Sequence, residues 1–500
     1  MVNQKKAGII LSYITIAINM IVQFAYTPIM LRLLGQSEYG VFTLSNSIIS
    51  YLTLFDMGFA GSYLRFFSAY KAKDDKEGIN KLNGTFATIF SIMSFLALIC
   101  GIVLSMQFDN FFKGSLNYEE LNKAKIIMII LSFSLAINLL TNVFSAIITA
   151  YEKFFRLKIV KLLSTIFSPL IGIPLMLTGF ESISLAIASL ITSVWCFVDY
   201  GFYCIKILGI RFHLRLASKA LIAELAKFSF FIFLNEIISQ INWSVDKVLL
   251  GYYYGTTVTA VYGVGSQIDT VYRTLSSSIS SVFAPQVNRI VANGDGDNEI
   301  NRLFCRIGRL QWIILAPILL GFIGFGRYFV NVWAGDGYDA SFYVALLLIV
   351  PVSVPLIQNL GIEIQQAKNR HQFRSIILFV MAAVNIGISI PLCIFHGAIG
   401  CAIGTAISLI IGNGIIMNWF YVKKLGLDIK SFWKEILSAS KGMIPSTMIV
   451  MLLLIIPIEW NIVKFICYFL IFIIVYILFM WMWGFNEEEK KYVIKFIKKS

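Results

Sequence analysis

The fold is decided by the segments FSFFIFLNEIISQINWSVDKVLLGYYYG (228–255) and TTVTAVYGVGSQIDTVYRTLSSSISS (256–281). Each segment is long enough to cross a bilayer as a helix, and we predict a short outer turn between them. Each also carries polar side chains at i, i+4, i+7 and i+11, a spacing that places them on one face of a helix. In the first segment this face holds Glu236, Gln240, Trp243 and Lys247, and Asp246 lies on the adjacent stripe. In the second segment it holds Tyr262, Ser266, Asp269 and Arg273.

Charged side chains inside apolar spans are costly, at about 3 kcal/mol each on insertion scales. They persist where they face a bundle interior or a water-filled cavity. We therefore predict a polar cavity lined by these two helices. The alternative is a buried ion pair that only locks helices together, and two facing polar stripes favour the cavity over it.

The composition predicts an all-α polytopic membrane protein. Of 500 residues, 58% are hydrophobic and 14% are charged, and the mean hydropathy is +0.79. The apolar runs are continuous over about 20 residues, which is typical of membrane helices and excludes an alternating β-barrel pattern. We count about fourteen candidate spans: 9–31, 41–64, 83–106, 126–149, 159–178, 183–205, 228–250, 257–283, 310–333, 341–364, 376–394, 397–420, 442–458 and 462–484.

The net charge of +14 indicates topology rather than nucleic-acid binding. If the N-terminus lies in the cytoplasm, all but eight of the 41 Lys and Arg residues fall on the cytoplasmic side or, as Lys161 does, at the cytoplasmic end of a span. This bias follows the positive-inside rule and predicts a multi-pass protein of the cell membrane with both termini in the cytoplasm. The eight exceptions are Arg32, Lys113, Lys123, Lys125, Lys247, Arg273, Arg327 and Lys464.

An internal repeat divides the chain. GQSEYGVF (35–42) aligns with GTTVTAVY (255–262), and INKL (79–82) aligns with INRL (300–303). A Lys-x-x-Gly motif ends at Gly209 and again at Gly426, so the shift stays near 220. A repeat of six spans, an even number, predicts two parallel lobes that face each other across a cleft, with two extra helices at the C-terminus. The predicted divisions are an N-lobe at 1–210, a cytoplasmic amphipathic connector at 211–227, a C-lobe at 228–425, and spans 13–14 with a basic tail at 426–500.

The sequence contains no Walker motif, HExxH motif, nucleophile elbow or Cys/His cluster. These absences favour a transporter without a cofactor over an enzyme. A membrane-bound enzyme that polymerises or ligates sugars is the alternative from another class. Such enzymes usually carry a large outer loop, whereas the longest outer loop here, 107–125, has about 19 residues.

The embedded charges predict roles in transport. Arg273 and Lys247 offer cations in or near the membrane, and Arg32 lies at the outer end of span one. An amphiphile with a diphosphate headgroup needs such partners to cross. We therefore assign substrate binding to Arg273, Lys247, Arg32, Gln240, Trp243 and Tyr262.

Four carboxyls are candidates for coupling transport to H⁺ or Na⁺: Asp269, Glu236, Asp246 and Asp56. Asp269 lies one turn before Arg273 and is placed to pair with it when the cleft is empty. Asp246 and Lys247 could instead form a pair at the outer interface, with the lysine extending towards water. Asp56, towards the inner end of span two, could also be an interface charge.

Four segments resemble the bacterial polysaccharide-biosynthesis flippases. These O-antigen-type oligosaccharide-lipid transporters belong to the multidrug/oligosaccharidyl-lipid/polysaccharide exporter superfamily. The turn RLLG-x-x-x-YG and the turn VDK-x-x-LG together carry most of the specificity. The four segments are LRLLGQSEYGVFTLS (31–45), FDMGFAGSYLRFFS (55–68), VDKVLLGYYYG (245–255) and GIEIQQAKNRHQFR (361–374).

The resemblance implies two six-helix lobes in a V shape and alternating access. It implies that undecaprenyl-diphosphate-linked sugar repeat units are moved to the outer leaflet, driven by a proton or sodium gradient or by the membrane potential. The implied partners are this lipid-linked oligosaccharide and membrane lipid, with polysaccharide polymerase and glycosyltransferases as further candidates, and no nucleic acid.

Two other substrates stay open within the superfamily. The related lipid II flippases place basic residues within the first helix, where this chain has Asn19, Gln23 and Tyr26, yet the fourteen spans match that branch. A cation-coupled multidrug exporter would favour acidic and aromatic residues, and the embedded Arg273 and Lys247 argue against it.

Overall fold

The computed structural model describes residues 4–212, 218–293, 296–368, 370–456 and 459–497. Every regular element in these ranges is helical. The contacts divide the chain into two compact units, residues 1–263 (unit 1) and 264–500 (unit 2). The helices are α1 (Gln4–Ser50), α2 (Phe59–Ala72), α3 (Lys76–Phe112), α4 (Tyr118–Ala150), α5 (Phe154–Leu175), α6 (Ile183–Phe202), α7 (Lys219–Tyr254), α8 (Thr256–Asn293), α9 (Asp297–Ala334), α10 (Asp339–Ile357), α11 (Leu360–Ala367), α12 (His371–Leu409), α13 (Met417–Phe420), α14 (Ile429–Ser440), α15 (Ile444–Ile455), α16 (Ile462–Phe479) and α17 (Glu487–Ile497).

Two tight turns have the same backbone conformation. Gly35 interrupts α1 with φ 74° and ψ 178°, and Gly255 separates α7 from α8 with φ 78° and ψ −163°. This region of backbone space is essentially restricted to glycine. The predicted turns are therefore present, and they lie 220 residues apart, the shift read from the sequence.

The shift of about 220 residues also relates the start of one helix and the end of one motif to their counterparts later in the chain. α3 and α9 begin at Lys76 and Asp297, 221 residues apart. Gly209 and Gly426, which end the repeated Lys-x-x-Gly motif, have φ values of 67° and 69°. The helix bounds thus follow the repeat, while the two lobes, their V shape and their boundaries stay predictions.

The second predicted span is broken, which the sequence analysis did not anticipate. A 3₁₀ segment, Tyr51–Asp56, follows α1, and then Met57 and Gly58 both adopt left-handed conformations with φ 49° and 66°. A non-glycine residue in this conformation costs about 1–2 kcal/mol. The chain therefore changes direction directly after Asp56 before α2 begins.

Unit 1 has an aromatic core between α2 and α3. Tyr63 and Phe86 are fully buried, with ring centroids 4.7 Å apart. The beginning of α7 joins this core, because Leu221 and Leu225 are buried in it.

This packing changes the interpretation of the predicted connector at 211–227. Residues 213–217 lie outside the described ranges, and from Lys219 onward the segment is the first part of α7 rather than a separate surface helix. α7 contacts α1, α2 and α3 and clusters with unit 1. The start of the C-lobe at residue 228 stays a prediction.

Unit 2 is organised around α9, which contacts α10, α14, α15 and α16. Phe304 on α9 stacks on Phe432 of α14 at a centroid distance of 4.8 Å. The hydroxyl of Tyr476 on α16 donates to the carbonyl of Ile313 over 2.6 Å. The C-terminal helices are therefore attached to α9 by buried contacts.

Ten helical segments in the described chain are long and apolar enough to cross a membrane. Two of them, 14–72 and 373–425, contain the left-handed glycines Gly35 and Gly397, so each of these segments holds more than one helix. α7 and α8, which carry the polar stripes, are not among the ten. The protein is an all-helical, multi-pass membrane protein, and the total of fourteen spans and the cytoplasmic termini stay predictions.

Candidate functional site

The polar stripe of α7 lies against the other helices of unit 1. Gly251 allows close packing on α1, since a Cβ there would lie 2.5 Å from a methyl group of Leu44. Further along α7, the buried hydroxyls of Ser62 and Ser229 are hydrogen-bonded. These contacts hold α7 against α1 and α2.

Gln240 is anchored to the end of α1. Its amide nitrogen donates to the hydroxyls of Ser50 and, over 2.8 Å, Ser244. Along the same stripe Trp243 and Lys247 are half-buried, while Glu236 is exposed. The stripe therefore passes from an exposed carboxylate to partly buried polar groups, and the polar cavity stays a prediction.

Asp246 is held by a tyrosine. The hydroxyl of Tyr262 donates to Oδ2 of Asp246, and the two side chains are only 3% and 2% exposed. Tyr262, assigned from the sequence to substrate binding, thus lies in the packed interior and positions a carboxylate.

Asp56 lies at the break in the second span. Its polar neighbours are Asn142 of α4 and Glu236 of α7. Its Oδ1 is buried, and no group in the described part of the chain donates a hydrogen bond to it. Asp56 is therefore within electrostatic range of a second coupling candidate, Glu236, on a helix that is distant in sequence.

A hydrogen-bonded cluster at the two glycine turns was missed by the sequence analysis. Oε1 of Glu120 accepts from Ser37 over 2.5 Å and from Thr256 over 2.6 Å. A Cβ at Gly40 would lie 2.0 Å from the carbonyl oxygen of Thr256, so only glycine permits this approach. Glu120 also closes the capping box that begins α4 at Asn117.

Lys123, one turn beyond Glu120, is the centre of an ionic network. Its ammonium group contacts Glu38 at 2.6 Å, Glu119 at 2.8 Å and also Glu181. Two signals in the sequence indicate this region: Glu38 in the GQSEYG motif, and the capping pattern Asn-x-x-Glu at 117–120. Neither signal reveals which partners meet.

Unit 2 contains the predicted pair of Asp269 and Arg273. Nε of Arg273 donates to Oδ2 of Asp269 over 2.8 Å, and the Asp269 side chain is 0% exposed. Nη2 of Arg273 also donates to Thr270 over 3.2 Å. With a quarter of its side chain exposed, the arginine remains accessible from one side while the carboxylate fixes its orientation.

Arg32 is exposed on α1, three residues before the Gly35 turn. The predicted residues are thus distributed over both units. Unit 1 holds the α7 stripe, Asp246 with Tyr262, Asp56 and Arg32, and unit 2 holds Asp269 with Arg273.

The fold defines a class. The chain resembles the solved structure of the lipid II flippase MurJ in an inward closed conformation, with a TM-score of 0.76, 19% identity, and coverage of 94% of this chain and 97% of that chain. It also resembles an inward-facing multidrug resistance MATE family transporter of the MOP superfamily, with a TM-score of 0.65, 12% identity, and coverage of 84% and 99%. The protein therefore has the membrane-transporter fold that these two proteins share.

The family follows from the sequence comparison. The model of the family described as "Polysaccharide biosynthesis protein" matches residues 29–343, and the chain belongs to that family. It is 20% identical over 398 residues to the "Putative O-antigen transporter" of Shigella flexneri, covering 78% of this chain and 91% of that protein. The family resemblance read from the four sequence segments is confirmed.

Proposed function

We propose that the protein is a flippase that moves undecaprenyl-diphosphate-linked oligosaccharide repeat units from the cytoplasmic to the outer leaflet for synthesis of a cell-surface polysaccharide. The observation that carries this proposal is the match to the polysaccharide biosynthesis family over 29–343, on a fold shared with a lipid II flippase. Transport proceeds by alternating access and without ATP hydrolysis, and the protein is not an enzyme.

The headgroup of this cargo carries a diphosphate, so the transport path needs cations. Arg273 suits this role because a guanidinium forms bidentate hydrogen bonds to phosphate oxygens. Its bond to the buried Asp269 orients the side chain before cargo arrives. Lys247 and Arg32, both in unit 1, are the further candidates for contact with the headgroup.

Coupling to H⁺ or Na⁺ is assigned to Asp56 and Glu236. Half-helix ends and carboxylates at broken membrane helices are typical positions for coupling ions. Asp56 lies at such an end, and a second carboxyl beside it increases the attraction for a cation. Uptake of the ion would change the charge at the break in span two and so favour one conformation over another.

The test uses the host cell. Deletion of the gene should abolish the surface polymer and cause lipid-linked repeat units to accumulate on the cytoplasmic side. If instead both are unchanged and sensitivity to cationic dyes rises, the protein is a multidrug exporter. If the deletion is rescued by an unrelated lipid II flippase and causes lipid II to accumulate, lipid II is the cargo.

A further inference from the structure

Helix α14, which precedes the C-terminal spans, has one face that is filled by the protein. Phe432 and Ile436 are buried, and α14 packs against α9. The fit is close, since a Cβ at Gly308 would lie 2.2 Å from the ring of Phe432. The orientation of α14 about its own axis is therefore set by packing.

The opposite face of α14 forms a basic groove of about 590 Å³. Three lysines at i, i+4 and i+11, namely Lys430, Lys434 and Lys441, lie along it and are exposed. Trp433 and Leu437 supply apolar surface between them, and Leu437 is 66% exposed. Within the described ranges the groove is lined by these five residues with Ile429 and Ser438, none of them acidic.

The surrounding chain places this groove at a membrane surface. The segment 429–455, which begins with α14, is long and apolar enough to enter the bilayer. Trp481 and Trp483 at the end of the last span are exposed. Their position is typical of an aromatic belt, on the side that the Lys and Arg bias predicts to be cytoplasmic. An amphipathic helix with lysines and a tryptophan on its outer face is suited to anionic headgroups at that depth.

The position of α14 is also secured on its other flank. Arg309 of α9 is 4% exposed and donates to the backbone carbonyl of Glu435 over 3.0 Å. The same guanidinium donates to Glu489 of α17 over 2.8 Å. It also contacts the carboxylate of Glu435 over 3.2 Å, so the acidic side chain within α14 is paired with an arginine of α9.

We propose that this groove binds the phosphate headgroup of an anionic phospholipid of the cytoplasmic leaflet. The three ammonium groups contact the phosphate oxygens as point charges, and Trp433 and Leu437 contact the glycerol and the upper acyl chains. The bound lipid is a structural membrane lipid, so the proposal goes beyond the transport function and does not depend on the identity of the cargo.

The experiment is native mass spectrometry of the full-length protein titrated with phosphatidylglycerol and, separately, with phosphatidylcholine. The triple variant K430Q/K434Q/K441Q should bind phosphatidylglycerol on the order of 100-fold more weakly, with little change for phosphatidylcholine. The matched control K73Q/K76Q/K81Q removes three exposed lysines from unit 1 and should bind both lipids as the unaltered protein does. The variant K430R/K434R/K441R keeps the charge and should retain binding.

Three results would overturn the proposal. One is equal weakening in the two Gln triples, which would show a non-specific charge effect. Another is unchanged binding in K430Q/K434Q/K441Q, provided that its circular dichroism and elution volume match those of the unaltered protein. The third is displacement of the lipid by millimolar inorganic phosphate, which would identify a site for a free anion.

Discussion

Two carboxylates in this protein have opposite surroundings. Asp269 lies in the continuous helix α8 and is bound by the guanidinium of Arg273. Asp56 lies at a break in the second span, beside Asn142 and a second carboxyl, Glu236. The first arrangement holds a cation in place, and the second places two carboxyl groups within electrostatic range of each other where the backbone changes direction. This difference separates a candidate group for binding an anionic cargo from a candidate group for binding a coupling ion.

The largest expected effect comes from removing the guanidinium of Arg273. Arg273→Ala should abolish export, because the diphosphate loses a bidentate hydrogen-bond donor. It should also lower the free energy of unfolding by about 3–5 kcal/mol, since the buried Asp269 loses its guanidinium. Export is measured as surface polysaccharide in a deletion strain, and stability as thermal unfolding of the purified protein.

Two variants separate these effects. Arg302→Ala removes an arginine whose side chain is 81% exposed and should leave export and stability unchanged. The double variant D269N/R273A should recover part of the stability but no export. Full export by Arg273→Ala would remove this residue from the cargo site.

The next effect concerns ion dependence. Asp56→Asn should abolish the dependence of transport on the proton or sodium gradient, because the amide cannot take up a proton or neutralise a cation. Transport is measured in vesicles with imposed gradients of each ion. Asp269→Asn is the matched control and should retain the dependence. If Asp269→Asn alters the ion dependence and Asp56→Asn does not, the two roles must be exchanged.

The smallest expected effect comes from substitutions at the left-handed break formed by Met57 and Gly58. Gly58→Ala should lower the free energy of unfolding by about 1 kcal/mol, because alanine is strained in the left-handed conformation. Met57→Gly should raise the free energy of unfolding by a similar amount. Met57 is itself strained in the left-handed conformation, and glycine relieves that strain. Thermal unfolding in one detergent measures both. The two variants should shift the unfolding temperature by equal amounts in opposite directions. If Gly58→Ala stabilises the protein, the backbone beside Asp56 is not left-handed.

Features that depend on local spacing could be read from the amino-acid sequence. The length and apolarity of the runs established an all-helical membrane protein. The turns predicted at Gly35 and between the two polar helices are present, and the i, i+4 spacing was sufficient to pair Asp269 with Arg273. These predictions succeed because helix rise and helix periodicity are constant, so neighbours in the chain are neighbours in space.

Contacts between segments that are distant in sequence became visible in the folded arrangement alone. Glu120 meets Ser37 and Thr256 across 83 and 136 residues, and the first part of α7 packs into the core of unit 1. The left-handed break after Asp56 was also hidden, because Met57 gives no local signal for that conformation. Such features arise from the packing of whole helices, where close approaches and hydrogen-bond partners depend on the entire arrangement rather than on any one stretch of sequence.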